Sequence, residues 1–163
     1  MNSFPEKDPG PEYLRTIISE SLYIVPHLNP KKELKLEGGM AKNILILVDL
    51  GDETQIRTSE ENLLMKILSS IQLELPSIGI LKIGADFPYS LERIIKIYSP
   101  QSLLLFGSSP KMVNIPSPWE KYQWMRLGST DFLLIDELSR LESDPEKVLK
   151  NKLWNQLKAY FKP

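Results

Sequence analysis

The run Ile44-Leu45-Ile46-Leu47-Val48 constrains this chain more than any other feature. A strand apolar on both faces belongs in the middle of a parallel sheet, where helices cover both sides. Three further aliphatic runs follow at intervals: Ile78–Ile83, Leu103–Phe106 and Phe132–Ile135. The segments between them read as helices. Thr58-Ser59-Glu60-Glu61 predicts a capping box, Thr58 capping and Glu61 reaching back, ahead of an apolar face of Leu64, Ile67, Leu68 and Ile71. Ser90 starts a second helix with Leu91, Ile94, Ile95 and Tyr98 on one face, and Pro100 breaks it. Ser143-Asp144-Pro145-Glu146 predicts the start of the last helix, with proline at its first position. Leu149, Leu153, Leu157, Tyr160 and Phe161 form that helix's buried stripe, with Trp154 at the edge. Residues 111–127 read as an irregular loop leading into a short strand or hairpin arm, and 136–141 as a helical turn. Strands alternating with helices imply crossovers and a parallel sheet. The expected fold is a three-layer α/β/α sandwich with a central, mainly parallel sheet of about four strands.

At 163 residues the chain fits one α/β domain, 41–163, preceded by an N-terminal arm, 1–40. Prolines 5, 9, 11, 26 and 30 and the pair Gly38-Gly39 frame the arm's periodic segment, Tyr13–Ile24. There Leu14, Ile17, Ile18 and Leu22 recur at helical spacing, with Tyr23 beside them. Two readings stand: a short helix packed on the domain's flank, or a docking arm that lays its apolar face in a partner's groove. The first residues carry Glu6, Asp8 and prolines where a signal peptide needs cations and then an apolar run. No run approaches the ~20 residues that span a bilayer. A cytoplasmic location and no membrane contact are the expectations.

Composition narrows the chemistry. With no cysteine and the single histidine His27, thiolate zinc sites, iron–sulfur clusters, thiol nucleophiles and multi-histidine metal sites are excluded. Twenty basic residues against 21 acidic ones give a net charge of −1, so direct nucleic-acid binding is not expected. Ligands of parallel sheets bind beyond the carboxyl ends of the strands. Those ends bring forward Asp49, Gly51, Asp52, Gly107, Ser108, Asp136 and Ser139. Asp49, Asp52 and Asp136 are oxygen ligands suited to a divalent cation such as Mg²⁺. The competing reading is that such acids cap helices and solvate loops. Dinucleotide-binding, Walker A and nucleophile-elbow motifs are all absent from the sequence, and no cofactor or resident metal is expected. Trp119, Tyr122 and Trp124, interleaved with Lys111, Lys121 and Arg126, form the most conspicuous cluster. Such a cluster folds onto its own domain, anchors a protein partner, or stacks bases.

The order of motifs resembles the uracil-DNA glycosylase superfamily, and within it the non-catalytic branch of psi subunits of the bacterial replicase, DNA polymerase III. The resemblance spans about residues 43–161. It rests on the strand running into Gly51-Asp52, the helix Glu61-Asn62-Leu63-Leu64 with Ile67-Leu68, and Leu103–Pro110, whose strand ends in Gly107-Ser108-Ser109-Pro110. The closing segment adds Asp136-Glu137-Leu138-Ser139-Arg140-Leu141, Asp144-Pro145-Glu146-Lys147 and Leu153-Trp154 with Leu157. Active glycosylases carry a polar water-activating residue and a proline in the first motif, and a histidine before the serine of the last. Here Glu53 follows Gly51-Asp52, and Asp136-Glu137 fills the last-motif position. A carboxylate opposes a departing uracil anion, which a histidine or amide would stabilise. The resemblance therefore implies a glycosylase-like fold without catalysis. By the same resemblance, a psi-like subunit joins the clamp loader, through an N-terminal peptide, to a chi-like partner, and Leu14–Ile24 is the candidate peptide. An enzyme that uses the strand-end carboxylates on a nucleotide or nucleic acid is the alternative, and an orphan domain that keeps the fold with unrelated duties is the third reading.

Overall fold

Five of the six residues of β2 (Ile44–Asp49) lie in register between two parallel neighbours, β3 (Ile78–Ile83) on one side and β4 (Ser102–Phe106) on the other, and Asp49 pairs with β3 alone. The computed structural model describes residues 35–84, 90–107 and 120–162, all within the unit Leu34–Pro163. β6 (Thr130–Ile135) extends the parallel set beyond β4. Two short strands close the edges antiparallel: β1 (Leu36–Gly38) on β3 and β5 (Trp124–Leu127) on β6. The sheet order is β1-β3-β2-β4-β6-β5. Among the described residues the protein is mixed α/β, with a six-stranded mixed sheet and four helices: α1 (Thr58–Ser70), α2 (Leu91–Tyr98), α3 (Leu138–Glu142) and α4 (Val148–Phe161). The short strand expected near residue 127 is β5. β1 lies within the last residues that the sequence assigns to the arm.

Alternation along each strand divides the core in two. Ile44, Ile46 and Val48, with Leu104, Phe106 and Ile135, face Leu64 and Leu68 of α1, Leu138 and Leu141 of α3, and Leu153 and Leu157 of α4. Leu45 and Leu47, with Leu103, Leu105 and Phe132, pack with Leu91 and Ile94 of α2. Each apolar run predicted as a strand is thus buried through both of its faces.

Helix ends follow the sequence in one case and shift in two. Ser90 Oγ accepts from the Arg93 N–H at 3.3 Å, and the left-handed Ser99 ends α2 just before Pro100. The box predicted on Thr58 and Glu61 moves back one residue. Arg57 is the N-cap, and the Glu60 carboxylate accepts its N–H at 3.3 Å. Glu61 instead pairs with Lys82 of β3 at 3.2 Å, so it is unavailable to the cap. Pro145 is not the first residue of α4. A turn closed by the Lys147 N–H on the Asp144 carbonyl puts a left-handed Lys147 at the N-cap, and the helix begins at Val148. Asp144 still serves the helix start, its Oδ2 accepting from the N–H groups of Leu149 (2.9 Å) and Lys150 (3.1 Å). Among the described residues no helix is long and apolar enough to cross a membrane.

Candidate functional site

Taken in chain order, the four parallel strands lie second-first-third-fourth across the sheet. The chain leaves the adjacent strands β2 and β4 towards opposite edges, which creates a topological switch point with a crevice beyond their carboxyl ends. A cavity of about 410 Å³ lies there. It is lined by Asp49–Glu53 at the end of β2, by Gly107 after β4 and by Glu137-Leu138-Ser139 at the start of α3. Gln55, Arg57 and Glu60, ahead of and within the first turn of α1, complete the rim. The volume lies within the range of small-molecule sites. Among the described residues, five carboxylates line it (Asp49, Asp52, Glu53, Glu60 and Glu137) against the single cation Arg57.

Backbone geometry explains two of these positions. Gly107 has φ +103°, and a Cβ there would sit 2.8 Å from the Cβ of Asp49. The chain can turn off β4 beside β2 only without a side chain. Gly107→Ala is expected to cost roughly 2 kcal/mol through strain and this close contact, read as a lower urea midpoint at unchanged slope. Asp49 Oδ1 accepts the Gly51 N–H at 2.9 Å. Its carboxylate thus folds back on its own turn, as the loop-solvating reading holds.

Asp136 departs from the sequence reading. It does not line the cavity; it is 3% exposed and is held in a separate polar cluster. Lys121 Nζ and Arg140 Nη1 donate to its Oδ1, the latter at 3.3 Å, and the Tyr122 hydroxyl donates to Oδ2 at 2.7 Å. The Tyr122 N–H on the Leu134 carbonyl fixes that hydroxyl beside the end of β6. Burial pushes the Asp136 carboxyl up, but the hydrogen bonds from Lys121 and Tyr122 and the charges of Lys121 and Arg140 outweigh it and hold the group below the usual carboxylate range. Tyr122 moves the other way, raised by burial and by the Asp136 carboxylate. The cation trio of Asp49, Asp52 and Asp136 is therefore not assembled. Among the described residues no group of three acidic or histidine side chains is placed to hold a metal.

The aromatic cluster resolves in part. Tyr122 is buried, and Trp124 stacks on Tyr160 of α4 at 3.8 Å between centroids and meets Phe161 edge-on at 6.0 Å. Trp124 Nε1 donates to the Gln156 carbonyl at 3.2 Å. Both aromatics fold onto their own domain, and Trp124 clamps α4 to the sheet. Tyr160 donates its hydroxyl to Asp131 Oδ2 at 2.7 Å. Burial, and then the Asp131 carboxylate, push the Tyr160 phenol up to about 12. A raised phenol keeps its proton in the folded state after the unfolded chain has lost it. The stability it contributes is therefore lost as pH climbs from about 10 to 12. Tyr160→Phe is expected to flatten that part of the alkaline stability curve, measured by urea unfolding across this window.

Ser108, Trp119, Leu14, Ile17, Ile18, Leu22 and Tyr23 lie outside the described residues. Of the predicted site residues, Asp49, Gly51, Asp52, Gly107 and Ser139 come together at the cavity, while Asp136 does not. Glu53, Arg57, Glu60 and Glu137 join the site without having been singled out as pocket residues. The run Asp52-Glu53 and the i,i+4 pair Glu53 and Arg57 (3.7 Å) were the available signal. Arg140, four residues after Asp136 on an expected helical turn, was a similar hint for the buried cluster. Comparison with protein-family models and with curated proteins gives no match.

Proposed function

We propose that this chain is a non-enzymatic accessory protein of DNA replication with a three-layer, glycosylase-like architecture, resembling the replicase psi subunit and working through protein contacts. The observation that carries the reading is the wall of the switch-point cavity. Base excision develops negative charge on the departing base, and rate enhancement comes from donors aimed at it. Among the described residues, five carboxylates and one arginine line this cavity, and none of that lining is aromatic or a histidine. Such a wall repels both the leaving anion and the phosphate backbone that would deliver it. A flipped base also needs stacking partners, and the described residues of the lining supply none. The working surface is then elsewhere, and the apolar segment Leu14–Ile24 is the proposed contact with a clamp-loader or chi-like protein.

Co-purification tests this. Replacing Leu14, Ile18 and Tyr23 by alanine is expected to release replication proteins that accompany the unaltered chain; if all stay bound, the docking role is wrong. Release of free uracil from uracil-containing single strands would refute the non-enzymatic part. The position of the cavity at the switch point favours one second reading, an enzyme that uses these carboxylates as acid–base groups on a nucleotide. Titration calorimetry with deoxyuridine monophosphate decides it: binding that disappears in Asp52→Asn supports the enzyme, and no heat supports the accessory protein.

A further inference from the structure

From Lys147 to Lys162 the chain carries five lysines and no acidic residue, although the whole molecule has a net charge of −1. The fold turns this segment into α4 and buries Leu153 and Leu157 against the sheet. At 100° per residue, Asn151, Trp154, Asn155 and Lys158 then share one arc about 100° wide on the outer face. The cap residues Lys147 and Lys162 continue it at the two ends, and all six are exposed. The Trp154 ring, 36% exposed, sits between cations one to two turns away on either side. None of the three lysines pairs with a carboxylate among the described residues. The helix is also held rigidly, through Trp124 on Tyr160 and Tyr160 on Asp131.

We infer that this stripe is a contact surface for single-stranded nucleic acid. Lysines at both ends, about 22 Å apart along the axis, meet phosphates several nucleotides apart on one strand. The Trp154 face stacks a base, and Asn151 and Asn155 donate to and accept from base edges. A protein partner would require an apolar centre that loses its water. Within the stripe Trp154 has no apolar companion, so a polyanion carrying flat π-faces is the better complement. Net charge hides such a surface because it averages α4 with the carboxylate-lined cavity. The inference goes beyond the accessory role and does not depend on it, since it uses neither the arm nor the cavity.

Anisotropy of a fluorescein-labelled oligothymidylate, titrated with the full chain at low salt, tests it. Saturable binding is expected, with log K falling against log salt at a slope of about −2 for three phosphate contacts. Trp154→Ala is expected to weaken binding roughly tenfold, and Trp154→Phe to restore most of it. Lys147→Glu, Lys158→Glu and Lys162→Glu together are expected to abolish binding while far-UV circular dichroism stays unchanged. No anisotropy rise at low salt overturns the inference. So does affinity that survives the triple change, or a polyglutamate peptide that binds as tightly and is indifferent to Trp154→Ala.

Discussion

Phe106→Ala is expected to destabilise the protein by 3–5 kcal/mol, on the order seen for large aromatic truncations in cores. Phe106 is 0% exposed on β4, in register with Val48 of β2 and Ile135 of β6. Its ring fills the sheet face under α1, α3 and α4, where the larger of the two apolar clusters gathers. Truncation removes the transfer free energy of the ring and leaves a void. Strands held on both sides cannot collapse into that void, so the cavity penalty persists. Phe106→Leu retains most of the volume and should cost less than half as much. Guanidinium unfolding of both variants checks this; equal losses would mean that the site relaxes freely.

The second large effect concerns the buried carboxylate. Asp136→Ala is expected to cost about 3 kcal/mol, towards the lower end for breaking a buried ion pair. Three donors lose their acceptor, but unequally. The side chains of Lys121 and Arg140 are 34% and 62% exposed and regain water, whereas the Tyr122 hydroxyl is left in a buried site. Asp136→Asn keeps an acceptor and should cost less. Its dependence on acidity is the sharper readout. A carboxyl held below its ordinary range adds stability that is fully present above about pH 4 and is lost as pH falls through the folded-state value. The stability gap between the unaltered protein and Asp136→Asn should therefore narrow in acid. A gap that stays constant down to pH 3 would show that shape, not charge, sets the role of Asp136.

These two positions differ in how far they could be read in advance. Phe106 ends an aliphatic run bounded by Gly107, and two-sided burial follows from that pattern because alternation along a strand is a local property. The cap on Ser90 is local for the same reason. The caps on α1 and α4 moved because a second partner competed for the side chain, Lys82 for Glu61, or because a turn intervened, as at Lys147. Asp136 was legible only in its i,i+4 spacing to Arg140. An acid that follows a strand looks the same in sequence whether it faces a cavity or turns under the sheet. The placement of Lys121 and Tyr122 ahead of β5, with the Tyr122 N–H bonded to Leu134 of β6, supplies the two donors from outside its own helical turn that hold it inward.

By itself, then, the sequence determined the four aliphatic strands, the helices between them and the gathering of Asp49, Gly51, Asp52 and Gly107 at one edge, since each follows from periodicity within a few neighbouring residues. The tertiary structure alone decided which carboxylates stay at the cavity, which aromatics turn inward, and how charge is segregated between the cavity and α4. Those outcomes depend on groups that meet across 14 to 32 residues of chain, where pairing is set by the packing of the sheet and not by spacing along the backbone.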